Sequence, residues 1–323
     1  MKKRGAFDFS FSWLFALIVG AFILFLAIIF ISKFSATQAD FIDTKNSKEI
    51  SVLLNPLETG FEESGKTVLT LPTSSRLSSR CSIAGDFGSQ TLNLRSENYD
   101  KYSENTNEIS FHNKYIFFEN NIKGKNFYIF SKPFNFPFKV ATLNYIIPIS
   151  QKYCFIGEYK DIRDIKDELT KVNLSNLVFV NSVTSSIDEC PAKSIKVCFN
   201  KDYPRCSIFV DTTTFGQFVQ KGEKSLYYEG NIALLFAAIF SDPALYECQL
   251  QRLLQRASSL ANLYYKKFLI DQQIGCSQSS VGTYLLALKD DALTIENSVE
   301  LSVLTKDTIP KLENMNPKGC PLW

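Results

Sequence analysis

The chain has 323 residues, of which 35 are basic and 33 acidic, and a formal charge of +2 spread this thinly excludes a nucleic-acid partner. Hydrophobic residues make up 45% and aromatic residues 14%, enough to bury a core and to exclude a disordered chain. Its eight cysteines contain no CxxC pair, and with a single histidine, His112, the composition argues against zinc and against dithiol redox chemistry.

Asp8 is the last charge before an uncharged run, Phe9 to Ser32, and Lys33 is the first after it. At about 1.5 Å per residue this run covers the roughly 30 Å hydrocarbon core of a bilayer. Residues 9–32 are therefore expected to be a transmembrane helix, with the lipid bilayer as the chain's first partner. Lys2, Lys3 and Arg4 crowd the N-terminal flank, and cytoplasmic flanks carry the excess of basic residues. Residues 1–8 are accordingly placed as a short cytoplasmic tail of a cell-membrane protein, with the bulk of the chain extracellular. Two processed forms stand beside an uncleaved anchor: a signal-peptidase cut before Asp40, after the small residues Thr37 and Ala39, and a pilin-type cut after Gly5. The apolar run is longer than the about 7 to 15 residues of a signal peptide. From Ala21 to Asn55 there is neither Gly nor Pro, so the helix can continue through a stalk at 33–55. Some 45 helical residues would reach about 65 Å, a pilin-like shape.

Residues 56–323 are expected to form an extracytoplasmic α+β domain, β-rich over 56–158, α/β over 159–230 and helical over 231–323. It opens on GFEESGKT, which fits the phosphate-loop pattern through Gly60, Gly65, Lys66 and Thr67. That pattern works where backbone amides at a helix start face the phosphates. Here Val68 to Leu71 favour a short strand ended by Pro72, Glu62 and Glu63 add negative charge, and the outer side of a membrane holds no ATP pool. SIFVD, ending in Asp211, would be the matching magnesium strand, but such strands are common. The match is read as chance and no cofactor is assigned.

Residues 73–110 are rich in Ser, Asn, Arg and Gly, which predicts loops and edge strands, with TLNLR alternating as a half-buried strand. KYIFFEN and KNFYIFS, separated around Asn121 to Gly124, predict a β-hairpin, and FPFKVATLNYIIPI a further strand. Ile162, Ile165, Leu169 and Val172 recur at helical steps, so DIRDIKDELTKV is predicted to be an amphipathic helix. LSNLVFV, SIKVCF and CSIFV follow as strands. Asn173-Leu174-Ser175 fits a glycosylation acceptor, a triplet that also arises by chance. IALLFAAIF is too short to span a bilayer and is predicted to be a buried helix. Asp242-Pro243 then starts a long helix to about Ile270, with Tyr246, Leu250, Leu253, Ala257, Leu260, Tyr264 and Phe268 on one seam. Glu247, Arg252 and Arg256 fall off the seam and are read as a salt-bridged exposed face, with an acidic-ligand site at the two arginines as the alternative. A last helix is predicted over 282–304, with Val299 and Val303 inward, before a proline-broken tail.

All eight cysteines, Cys81, Cys154, Cys190, Cys198, Cys206, Cys248, Cys276 and Cys320, fall on the side assigned to the exterior. An even count there reads as disulfides. One pair is expected within the ladder at 190 to 206, and another between Cys248 and Cys276. No catalytic or metal-ligating set is assigned: no serine sits in GxSxG, GCSQS lacking the final glycine, and His112 lies in a polar turn.

KRGAFDFSFSWLFALIVGAFILFLAI and IFSDPALYECQLQRLLQRASSLANLYYKK together resemble uncharacterised single-span membrane proteins of small-genome archaea. The N-terminal KRG-AF is similar to the class III signals of archaeal type IV pilin-like proteins, cut after that glycine. Asp8 and Ser10 depart from the pilin pattern, in which a glutamate stands where Ser10 is. Neither resemblance brings catalytic residues. The function expected is that of a membrane-anchored surface protein with a structural or binding role, alone or through contact with other surface proteins or copies of itself. The alternatives are a pilin-like subunit assembled through its N-terminal helix, and an extracytoplasmic enzyme using paired carboxylates.

Overall fold

The structure is a computed structural model that describes residues 11–54, 66–98, 101–102, 107–181, 187–200, 205–212, 217–273, 280–315 and 321–323. It is α+β, with a β-rich middle, a helical C-terminal part and one N-terminal apolar helix. That helix, α1 (Phe11–Leu54), runs 44 residues without a break, about 66 Å. Its stretch Trp13–Ile31 is long and apolar enough to cross a membrane and touches no core. Near its other end Ile50 is fully buried against the first sheet.

The first sheet comprises β1 (Lys66–Ser82), β2 (Ser89–Asn98), β3 (Lys101–Tyr102), β4 (Asn107–Phe111), β5 (Tyr115–Phe117), β6 (Ile122–Asn135) and β7 (Lys139–Pro148). Its order is β3-β2-β1-β6-β7-β5, with β4 also on β2, and every pairing is antiparallel except β5 with β7. Of the stretch 73–110 expected to be loops and edge strands, β3 and β4 do lie at the edge, whereas β2 and the second half of β1 are interior strands. Along β1, Leu69, Leu71 and Leu77 point into a core and Ser75 is buried with them, while Val68, Thr70, Pro72 and Arg80 are exposed, so polar composition hides a largely covered strand. Pro72 does not end this strand. It sits where the pairing with β6 shifts register between Thr70 and Ser75, and such an irregularity accommodates a residue with no N–H to donate. The expected hairpin of KYIFFEN with KNFYIFS is also absent: β7 lies between β6 and β5, bonding β6 antiparallel and β5 parallel.

The second sheet comprises β8 (Tyr153–Gly157), β9 (Leu177–Asn181), β10 (Ile195–Phe199), β11 (Ile208–Asp211), β12 (Phe218–Lys221) and β13 (Lys224–Tyr227), in the order β13-β12-β11-β10-β8-β9. Its four strands β8 to β11 are parallel, and β12–β13 is an antiparallel hairpin. The amphipathic helix α2 (Tyr159–Val172) crosses from β8 to β9 and buries Ile162, Ile165, Leu169 and Val172, as its spacing predicts. Gly157 makes that return close: a Cβ there would stand 2.8 Å from Ile162 Cγ2 and 2.9 Å from Phe199 Cβ.

The main core lies between the sheets. Alternation divides each strand between two cores: Tyr128 and Phe130 face the main one, Phe127 and Ile129 the outer face of the first sheet. In the second sheet Phe155, Val197 and Phe199 face inward, whereas Cys154, Ile156 and Cys198 face outward. The helix α3 (Ile232–Phe240) fills the gap, with Ala233 to Phe240 all buried, and Asn231 caps it by accepting from the N–H groups of Ala233 and Leu234 at 3.0 and 3.2 Å. Asp242 caps α4 (Pro243–Gln273) in the same way, accepting from Ala244 N–H at 2.9 Å. α5 (Val281–Thr294) stops short of the expected 304. Asn297 accepts from Val299 N–H at 3.1 Å and Glu300 from Glu296 N–H at 2.9 Å, so local side chains redirect the backbone into a tighter turn at Ser298–Leu301. Val299 and Val303, expected inward, are more than half exposed. Pro310, expected to break the tail, instead sits in α6 (Ile309–Met315), which continues directly from a wide π-helical turn at Leu304–Thr308.

Candidate functional site

The phosphate-loop residues within the described chain do not open a helix. Lys66 and Thr67 begin β1, and the Lys66 ammonium donates to the Asn173 carbonyl and lies 5.1 Å from the Tyr128 ring. Gly60 and Gly65 lie outside the described residues. Asp211 ends β11, its carbonyl accepting from the Tyr228 hydroxyl at 3.0 Å. Asn173 ends α2 in the left-handed region at φ 53°, exposed, and the Ser175 hydroxyl lies 2.7 Å from that of Tyr128.

Three disulfides join Cys81 to Cys248, Cys154 to Cys190 and Cys198 to Cys206. The last is a pair within the ladder. The pairing of Cys248 with Cys276 is overturned, because Cys248 on α4 meets Cys81 near the end of β1. Cys276 and Cys320 lie outside the described residues. Among the described residues no group of three or more His, Cys, Asp or Glu converges on a common point.

The reading of Glu247, Arg252 and Arg256 as an exposed charged face is also overturned. Arg252 is fully buried. Its five N–H groups are all used, on the carbonyls of Phe87 (3.0 Å), Lys114 (3.0 Å), His112 (2.9 Å) and Phe111 (3.4 Å) and on Gln249 Oε1 (2.7 Å). The guanidinium stacks 4.9 Å from the Tyr115 ring centre, and burial lowers its pKa. Gly88, at φ +58°, lets the β1–β2 turn approach: a Cβ would stand 2.3 Å from Ser82 O and 2.9 Å from Arg252 Cγ. Gln249 in turn donates to Gln90 Oε1 at 2.5 Å, and Gln90 pairs with both the N–H (3.1 Å) and the C=O (2.8 Å) of Ile116. A side-chain amide on β2 thus takes the place of a neighbouring strand for β5 and draws the two ends of the first sheet together. Arg256 is half-buried beside the Tyr115 hydroxyl, and Glu247 is held by Ser298 N–H (2.8 Å) and hydroxyl (2.6 Å). These groups organise backbone and leave no arginine pair for an acidic ligand.

A cavity of about 510 Å³ lies at the seam of the two sheets, within the size range of small-ligand pockets. One wall is the β5–β6 turn, Glu119 to Lys123, with the end of β7. The other is the N-terminal edge of the second sheet, at Tyr153, Ile195 and Ile208, and Phe240 lies beneath. The Tyr153 and Phe240 rings meet edge to face with centroids 5.0 Å apart. Lys221 on β12 reaches into this seam. Its ammonium pairs with Glu119 and donates to the Ser241 carbonyl at 2.6 Å, and the two side chains are 9% and 33% exposed. Burial lowers the Lys221 pKa against the pull of Glu119 and Asp242, and burial followed by the negative charge of Glu119 raises that of Tyr153. Around the mouth, Asn120, Asn121, Ser150 and Ser207 are exposed, and their side chains have no hydrogen-bond partner among the described residues.

None of these cavity residues stood out in the sequence. Glu119 to Asn121 and Lys221 sit in ordinary turn sequences, FFENNIKG and VQKGEK, and only the packing of one sheet's turn on the other sheet's edge brings them together. Compared with protein-family models, curated proteins and solved structures, the chain matches none of them.

Proposed function

We propose that this chain is a single-span membrane protein whose disulfide-bonded α+β domain stands on the outer side of the cell membrane and has a structural or binding role there. The observation that carries this reading is the outward apolar surface of Trp13–Ile31 on a helix that runs unbroken to Ile50 in the core of the globular part. Burying such a surface in lipid removes it from water, and three disulfides suit an oxidising exterior. A continuous helix would hold the domain at a fixed orientation to the bilayer. Alkaline extraction of native membranes, with protease added to intact cells, tests it. Retention in the membrane with digestion of the globular part supports the reading, whereas release by alkali or full protection sinks it.

The same helix favours a second reading, a pilin-like subunit. An apolar half exposed along Trp13–Ile31, continuous with a helix end that docks Ile50 on an antiparallel sheet, would pack against copies of itself. Processing after Gly5 distinguishes it and is read from the intact mass of the mature chain. Paired-carboxylate chemistry finds no support in the cavity, since Glu119 is its one acidic lining residue and is engaged by Lys221.

A further inference from the structure

We propose that the cavity at the seam of the two sheets binds a small neutral saccharide. This goes beyond the membrane reading and stands whether or not α1 lies in lipid.

Charge comes first. The two charges that reach the cavity interior, Lys221 and Glu119, are paired with each other, and the lysine is further bound to the Ser241 carbonyl. A ligand carboxylate, phosphate or ammonium would have to break that pair and leave one partner desolvated, which is strongly unfavourable for a lysine this buried. The remaining lining charge, Lys123, is exposed at the lip, where water and salt screen it. The interior therefore selects against net charge on the ligand.

Hydrogen bonding comes second. Asn120, Asn121, Ser150 and Ser207 ring the mouth with side chains that no described protein group engages. Each can both donate and accept. Sugar hydroxyls have the same dual character, so one ligand ring could satisfy several of them at once. The backbone around them is already committed: Gln151 N–H donates to Pro148 O at 3.0 Å, Ser207 N–H to Lys196 O at 2.9 Å and Ile195 N–H to Lys152 O at 2.9 Å. An incoming extended peptide would find no open ladder at these positions, which sets this cavity apart from a strand-addition groove.

The floor comes third. Ile122, Ile146, Ile195 and Ile208, with Phe240 beneath, give an apolar surface under the polar mouth. The C–H face of a pyranose fits such a floor while its hydroxyls meet the rim. A volume of about 510 Å³ leaves room for one or two rings.

The test uses the full chain, disulfides intact, in lipid nanodiscs, with saturation-transfer NMR and calorimetry. The probes are glucose, galactose, mannose, N-acetylglucosamine, maltose and lactose, set against glutamate, glycine and inorganic phosphate. Ser150→Trp and Ser207→Trp fill the cavity from the first-sheet side and the second-sheet side. Both positions are exposed, so both variants are expected to fold, which circular dichroism checks. Saturable binding of at least one neutral sugar, weakened at least about tenfold in both variants, is the expected result. The proposal is overturned if no sugar saturates the protein, if glutamate, glycine or phosphate binds in preference, or if sugar binding survives both tryptophans.

Discussion

The first sheet closes its outer side with side chains brought from a distant helix, whereas the second closes its outer side with disulfides. In the first sheet fourteen buried apolar residues among those described, Ile50 and Leu245 included, form the outer core, and Gln90, Gln249 and Arg252 seal its open edge. On the outer face of the second sheet the buried cluster among the described residues is five residues, three of them cysteines. No helix among the described residues covers that face; α2 packs on the opposite one. A cluster this small buries little area, and cross-links that restrict the unfolded chain are the usual remedy. The two sheets are thus stabilised by different balances: a broad apolar core with satisfied polar groups and one long-range bridge, Cys81–Cys248, in the first, and two shorter-range bridges over a small apolar cluster in the second.

The largest way to sharpen this contrast is to remove both second-sheet bridges, replacing Cys154, Cys190, Cys198 and Cys206 by Ala. The sequence separations are 36 and 8 residues, for which loop-closure entropy assigns roughly 4 and 2.5 kcal/mol. Hydrogen exchange should show amides of β8 and β10 losing protection while β6 and β7 keep theirs. Equal loss in both sheets would break the comparison.

Next in size is Arg252→Ala. It strands four backbone carbonyls and the Gln249 amide in a water-free site, at about 3 to 5 kcal/mol. The urea midpoint should fall and the turn between β4 and β5 should exchange first. If exchange instead rises first in the second sheet, Arg252 does not serve the sheet edge. Arg252→Lys should recover little, because one ammonium cannot reach carbonyls on both sides of a planar fork.

Smaller is the effect at the seam, where the two sheets meet. Glu119→Ala leaves Lys221 buried with only the Ser241 carbonyl, and about 2 kcal/mol is expected, reduced by the partial exposure of Glu119. The paired change Glu119→Leu with Lys221→Met should restore most of that loss in thermal unfolding. If the single and paired variants unfold alike, the pair is not what fastens the seam.

How far the sequence foretold this division depends on range. Elements set by local pattern were legible: α2 from its apolar spacing, α3 from its uniform run, α4 from the Asp242-Pro243 start, and β9 to β11 from short apolar strands. Long-range features were not. β1 reads as a short strand at Val68 to Leu71 ended by Pro72 and then as polar loop, because after Pro72 Leu77 is the one large apolar residue among Ser, Thr and Arg before Cys81, and only the neighbours β2 and β6 make the whole of it interior. Arg252 reads as surface because nothing in a helix shows that four carbonyls from two turns will converge on it. The Cys248–Cys276 expectation failed for the same reason, since proximity in sequence competes poorly with the packing that sets β1 beside α4. The cavity was invisible because its polar residues come from separate turns with unremarkable composition.

The finest test separates two carboxylates that fasten the second sheet's periphery. Glu168 on α2 is bound by Lys132 of the first sheet and by Lys171 of its own helix, and these bonds, with Lys132 first, lower its pKa below the ordinary value of 4.5. A folded-state pKa below the unfolded one means stability that is present above the unfolded value and lost as pH falls through the folded value. Glu247 on α4 is the reverse. Burial raises its pKa despite the bonds from Ser298, whose hydroxyl also accepts from Tyr227 N–H at 3.0 Å at the end of β13. Its contribution is fully present below 4.5 and fades as pH climbs through the raised folded value. Glu168→Gln should therefore lower stability at neutral pH by up to about 1 kcal/mol and flatten its decline in acid. Glu247→Gln keeps an acceptor for Ser298 and removes the buried charge, so its stability relative to the parent should rise from acid toward neutral pH. Urea midpoints at a series of pH values between about 3 and 7 give both curves, the range in which these carboxylates titrate. Parallel curves for the two variants would mean that neither glutamate holds the sheet through its charge.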